Sequence, residues 1–100
     1  MSLSIEKELR NLIRTGKYVI GTRQTIKLLK TGKLKLVIMA KNTPPETKAR
    51  VRYYARLGNT PIIEYEGTSV DLGSALGKPF VASMIGVIDE GTSKILSLIE

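Results

Sequence analysis

The segment Val19-Ile20-Gly21-Thr22-Arg23-Gln24-Thr25-Ile26-Lys27-Leu28-Leu29-Lys30 sets the reading of the chain. It reads as a short buried strand, a tight turn at Gly21 and a helix opening at Thr22. Gly21 has no Cβ, so either another backbone approaches it or the chain takes a positive φ there. Thr22 suits an N-cap, and the first turn after it presents backbone N–H groups with no partner inside the helix. Those donors and the positive end of the helix dipole favour an anion. Arg23 and Lys27 are four apart and share a helix face that Lys30 continues. A phosphate-rich partner fits this geometry better than a small neutral ligand. The alternative is a plain strand-to-helix corner whose cations are merely solvated, since basic helix faces are common.

Upstream of this segment, Ile5, Leu9, Leu12 and Ile13 form one apolar stripe of a helix over 4–15. Glu6 and Glu8 sit near its positive end, Arg10 and Arg14 near its negative end, and Gly16 stops it. Residues 18–20 make the short strand. Downstream, the helix over 22–30 turns Ile26 and Leu29 inward and ends before Thr31-Gly32. Residues 34–40 read as a strand covered on both faces. The run Lys41-Asn42-Thr43-Pro44-Pro45 is a rigid corner, and Pro45 suits the first turn of a third helix that runs to about Leu57. Val51, Tyr54 and Ala55 face the core from that helix. Its outer face carries Lys48, Arg52 and Arg56, like charges at a spacing of four that suggest a neutralising partner or a solvated face.

A third strand covers 61–65. Thr68 with Asp71 approaches a capping box for a short helix that Gly77 ends. Lys78-Pro79 is a loop, and a last strand spans 80–88, interrupted at Gly86. Asp89-Glu90-Gly91 turns the chain into a closing amphipathic turn with Ile95, Leu96 and Leu98. Helices and strands alternate without internal repeats or a linker, which predicts an α/β fold in a single domain, its sheet sandwiched between helix layers.

Composition narrows the function. One hundred residues, 42% of them hydrophobic, suffice for one core and show no bias toward disorder. No apolar run approaches the roughly 18 residues a membrane helix needs. Met1-Ser2-Leu3-Ser4-Ile5-Glu6-Lys7-Glu8 lacks a basic-then-apolar signal pattern, so the expectation is a soluble cytoplasmic protein with no membrane partner. Cysteine and histidine are both absent. Their absence removes disulfides, thiolate nucleophiles, Cys/His zinc sites and every imidazole base, and makes an enzyme less expected. The net charge of +7 is uneven: residues 1–56 hold 14 Lys/Arg and 3 Asp/Glu, residues 57–100 hold 2 and 6. A half at +11 beside a half at −4 makes a polarised surface that draws polyanions.

Glu64 and Glu66, two apart on a strand with Asp71 close by, are the one carboxylate grouping that could bind a metal or act as acid and base. Their spacing matches no metal loop, and neither a nucleophile–base set nor a Walker-type phosphate loop occurs. No catalytic residue, metal or cofactor is therefore assigned. For binding, the loops beyond the carboxyl ends of strands are the favoured place in an alternating α/β sheet. The Gly21–Lys27 corner, the Asn42–Pro45 corner and the 78–81 loop could meet there. Arg23 can make a bidentate bond to a guanine edge, and Asn42 can pair with a base edge. Phe80 offers a flat surface to an unstacked base, and Lys27 and Lys48 can hold phosphates. Ordinary core packing is the alternative for Phe80, and a turn bonding its own backbone the alternative for Asn42.

The blocks Thr15-Gly16-Lys17, Ile20-Gly21-Thr22-Arg23-Gln24-Thr25, Lys33-Leu34-Lys35-Leu36-Val37-Ile38, Ala40-Lys41-Asn42-Thr43-Pro44, Tyr53-Tyr54-Ala55-Arg56-Leu57 and Gly67-Thr68-Ser69-Val70-Asp71-Leu72-Gly73 run in order over nearly the whole chain. In these the chain resembles the kink-turn RNA-binding superfamily, and within it the archaeal and eukaryotic large-subunit ribosomal branch numbered thirty. The resemblance implies a three-layer α/β/α sandwich around a mixed four-stranded sheet, one RNA-binding domain over 1–100. It implies a monomer when free that binds a sharply bent internal loop of ribosomal RNA, with other large-subunit proteins as neighbours. Gly21 and Arg23 would approach the tandem sheared G·A region, with Thr22, Gln24 and Lys27 beside them. Asn42 would contact a base from its corner and Phe80 would stack beneath an extruded nucleotide, and Thr43, Lys48 and Val81 complete the expected RNA-binding set. Arg23-Gln24 stands where the box C/D branch has an Asn-Glu pair, which argues against that branch. The rival readings are a kink-turn protein of a guide-RNA particle or messenger regulator, and a small nucleotide-binding enzyme using Gly21 and the 67–73 segment.

Overall fold

The computed structural model describes residues 4–99, with side chains through Ser97. Met1 to Leu3, read above for a signal pattern, and the inward assignment of Leu98 lie outside the described residues and side chains. The described elements are α1 (Ile5–Thr15), β1 (Lys17–Ile20), α2 (Thr22–Lys30), β2 (Leu36–Met39), α3 (Pro45–Gly58), β3 (Ile62–Glu64), α4 (Ser69–Ala75), β4 (Met84–Asp89) and a 3-10 helix over Ile95–Ile99. The four strands form one mixed sheet in the order β1-β4-β2-β3. β4 is antiparallel to both β1 and β2, and β2 is parallel to β3.

The sheet has two covered faces because β2 alternates two apolar sets. Leu36 and Ile38 join Leu9, Leu12, Leu72, Leu76 and Ile95, which puts α1, α4 and the 3-10 helix on one side. Val37 and Met39 join Ile26, Leu29, Val51 and Ala55, which puts α2 and α3 on the other. All four residues of β2 are fully buried. Burying each such side chain stabilises the fold by about 1.5–3 kcal/mol relative to exposure. The expected sandwich of three layers is therefore present, with β2 at its centre. Among the described residues, no helix is long and apolar enough to cross a membrane.

Three expectations are corrected in detail. The residue capping α2 is Gly21, at φ 120° and ψ 148°, and Thr22 is already in the first turn. A Cβ on Gly21 would meet nothing, so the glycine serves the positive φ rather than a close backbone approach. The last strand starts at Met84, not at residue 80, because 82 and 83 bond sideways across the end of the sheet. Ala82 donates to the Ser69 carbonyl at 3.0 Å, and the Ser83 carbonyl accepts from Ala40 N–H at 2.9 Å. Glu8, read as a dipole partner at the start of α1, is 3% exposed and bonds far along the chain. Its Oε1 accepts from the Lys94 backbone N–H at 2.7 Å and from Ser93 Oγ at 3.3 Å, fixing the 3-10 helix to α1. The Lys94 N–H, followed by the weaker polar contacts, holds the Glu8 carboxyl below its ordinary pKa although burial opposes this.

Candidate nucleic-acid interface

The three corners proposed from the sequence meet at one end of the sheet. Gly21 N–H donates to the Met84 carbonyl at 2.8 Å, joining the turn after β1 to the entry of β4. The corner after β2 joins the same loop through Ala40, and through Thr43 Oγ1, which donates to the Ser83 carbonyl at 3.2 Å. Asn42 then reaches the opening of α4: its Oδ1 accepts from Ser69 N–H at 2.9 Å, and its Nδ2 lies 3.4 Å from Ser69 Oγ. A fourth segment, after β3, completes the rim, since Lys41 N–H donates to the Gly67 carbonyl at 2.9 Å. These bonds link backbone segments far apart in sequence, so the rim is held by the scaffold rather than by flexible loops.

Phe80 belongs to this rim and not to the core. It is 52% exposed, beside Val81 at 58% and Val70 at 63%, which makes a small apolar patch next to the Asn42–Ser69 link. Its height is set by Gly73, because a Cβ there would collide with the Phe80 carbonyl. A glycine inside a seven-residue helix is costly in propensity, and the close approach of the loop is its reason.

On the α2 flank, Arg23, Gln24 and Lys27 are exposed. No side chain caps α2, and its first turn holds no acid, so its leading N–H groups and dipole are left uncompensated by side chains. Thr22, Arg23, Ile26, Lys27, Lys30 and Arg50 line a hollow of about 650 Å³ between α2 and α3. Among the described residues, neither Arg23, Lys27 nor Arg50 makes an ion pair. An apolar floor with cationic walls suits a sugar–phosphate strand.

Two candidates are placed differently. Thr43 is buried and its hydroxyl is engaged with Ser83, so it shapes the corner from beneath. Lys48 donates to the Lys41 carbonyl at 2.8 Å and lies 3.4 Å from Glu64, which also takes Arg52 at 2.6 Å. The cationic stripe on α3 is thus partly neutralised inside the chain, and only Arg56 of the three lacks an ion pair among the described residues. Glu64 in turn is the last residue of β3 and carries two cations, while Glu66 lies past the strand. They are not a free carboxylate pair on one strand face. Among the described residues, no group of three or more carboxylates or other ligating side chains could hold a metal ion. Glu6, Glu64, Glu66 and Asp71 instead border a hollow of about 590 Å³ on the far side of β3. There the Tyr65 hydroxyl donates to Glu6 Oε2 at 3.2 Å, and burial first, then that carboxylate, pushes the phenol pKa up.

Sequence reasoning missed Ser69, Ser83, Val70 and Arg50. The first two act chiefly through backbone groups, which no side-chain pattern reveals. Val70 reads as an ordinary residue of a capped helix. Arg50 falls outside the spacing of four, and only the packing of α3 on α2 brings it to Arg23.

A rim of backbone-anchored loops with a base-sized aromatic surface and a cationic flank defines a polynucleotide-binding α/β sandwich. Residues 4–97 match the model of the ribosomal protein L7Ae/L30e/S12e/Gadd45 family, and the chain belongs to that family. Its relatives include the large ribosomal subunit protein eL30 of Aeropyrum pernix, 44% identical over 98 residues that cover 98% of both chains. The eL30 proteins of Sulfolobus acidocaldarius, 45% identical over all of this chain and 96% of theirs, and of Methanocaldococcus jannaschii, 40% identical over 99% and 90%, are similar in the same way. In architecture the chain is similar to a protein of unknown function from Bacillus halodurans C, with a TM-score of 0.77, 26% identity and 97% of each chain covered.

Proposed function

We propose that this chain is a structural, non-catalytic constituent of the large ribosomal subunit in the cytoplasm. In this reading residues 1–100 act as one RNA-binding unit, monomeric when free, whose rim grips a kink-turn in ribosomal RNA beside other large-subunit proteins. The observation that carries it is the hydrogen-bonded convergence of the Gly21, Asn42 and Phe80 segments at one sheet end, next to cations without ion pairs among the described residues. The eL30 names and the ribosomal family support the same assignment.

Each group has a role in such a complex. Gly21 keeps the corner flat enough for a nucleotide to approach, and Arg23 reads a guanine edge with its planar fork. The first-turn N–H groups of Thr22, Arg23 and Gln24, with Lys27, hold phosphates. Asn42 retains one amide hydrogen and one carbonyl lone pair beyond its Ser69 bonds, enough to meet a base edge. Phe80, flanked by Val81, supports an extruded base. Thr43 and Lys48 position the corner rather than touch the RNA. Gel-shift titration tests this reading: an RNA with a bent internal loop should bind about tenfold tighter or better than a straight duplex of equal length, given about 1–3 kcal/mol for a bidentate base contact. Equal affinity for the two would overturn it.

A further inference from the structure

The outward face of α3 carries Tyr53, Arg56 and Leu57 beyond the groups assigned to the rim and its flank. Tyr53 and Leu57, one turn apart, are 58% and 67% exposed. By helical geometry Arg50 and Arg56 stand about 60° to either side of Tyr53. Both are exposed, and neither meets a carboxylate among the described residues, unlike Lys48 and Arg52 on the neighbouring strip. The Tyr53 ring is braced edge-on against Tyr54 at 5.3 Å between centroids, and the Lys30 ammonium sits 5.0 Å from the Tyr54 ring centroid. An aromatic held in place with a guanidinium on each side matches what a single strand offers, a base face between two phosphates.

This surface is continuous with the rim. Arg23, Lys27 and Arg50 share one hollow, and Lys30, Tyr54 and Leu57 border the next, of about 320 Å³. α3 leaves the Asn42 corner and places Leu57 about 18 Å from Pro45 at 1.5 Å per residue. Its far half thus lies about three helical turns from the Asn42 corner, along the path that the two hollows mark from Arg23 to Leu57. We infer that the α2–α3 face is a second RNA contact, taking a single-stranded segment that continues from the element bound at the rim. Its phosphates lie on Arg50 and Arg56 and one base lies against Tyr53. The inference rests on the rim reading for its first anchor, since a strand already tethered there reaches α3 at a high effective concentration.

The test uses the full chain, a bent-loop RNA, and the same RNA carrying a single-stranded extension. The extension should tighten binding by about tenfold or more. Tyr53→Ala should remove about fivefold of that gain or more. Arg56→Gln should weaken the extended complex and lower its salt slope by about 0.7. Both variants should bind the bare loop as the parent does, and both alter exposed positions, so the fold is retained. An extension that adds no affinity, or variants that keep the whole gain, would overturn the inference. So would loss of a neighbouring protein from reconstituted subunits with every RNA affinity unchanged, because that makes the occupant a protein. A bare bent loop bound no better than a straight duplex, with the extension still adding affinity through Tyr53, would sink the rim reading alone.

Discussion

Two hollows of similar size lie on opposite flanks of this molecule, about 650 Å³ between α2 and α3 and about 590 Å³ between β3, α4 and α1. Arg23, Lys27, Lys30 and Arg50 border the first, and Glu6, Glu64, Glu66 and Asp71 the second. What separates them is how far the chain answers its own charges. On the acidic side Glu64 takes Lys48 and Arg52, Glu6 takes the Tyr65 hydroxyl, and Asp71 closes the α4 capping box with Thr68, leaving Glu66 of the four without an ion pair among the described residues. On the basic side, cation–π contact with Tyr54 engages Lys30, and Arg23, Lys27 and Arg50 make no ion pair among the described residues. On the proposed reading, uncompensated charge rather than volume marks the basic hollow as the polyanion side.

Substitutions on the two flanks and at the rim put that contrast to the test. Arg23→Ala should cost about 1–3 kcal/mol of affinity for bent RNA, measured by titration, and leave the melting temperature close to that of the parent. Gly73→Ala should act on both properties. Its methyl meets the Phe80 carbonyl, so stability should fall by about 1–3 kcal/mol in urea unfolding and RNA affinity should fall with it as the Phe80–Val81 loop is displaced. Glu8→Gln should cost about 1 kcal/mol of stability with RNA binding intact, because it turns charge-assisted bonds into neutral ones. Since the folded carboxyl titrates below its ordinary value, its contribution is present above the ordinary carboxylate pKa and fades as pH falls through the folded one. The glutamine variant should lack that part of the acid dependence. Smallest of all, Glu66→Gln in the acidic hollow should change RNA affinity and stability by less than about 0.5 kcal/mol.

Much of the layer order was legible because apolar alternation in β2 and the stripes of α1 and α2 report burial directly. The Thr68–Asp71 capping box and the Pro45 start of α3 were legible for the same reason: local chemistry decides them. What stayed hidden depends on partners distant in sequence. Glu8 looked like a surface acid until Lys94 closed over it. Phe80 looked like the start of a strand until its neighbours bonded to Ser69 and the 40–43 corner. Asn42, Arg23 and Phe80 were nameable as candidates from residue type, yet the bonds through Ser69 and Ser83 that bring their segments together were not. The cations of α3 could be counted but not sorted, because Glu64, which neutralises two of them, comes from β3.

On the proposed reading, RNA meets the sheet-end rim. Adding bent-loop RNA to isotope-labelled protein and following backbone amide resonances tests it directly. Shifts should concentrate at residues 21–27, at Asn42 and Ser69, and at Phe80 and Val81. Shifts centred on Glu6, Glu64, Glu66 and Asp71, with the rim unmoved, would contradict it.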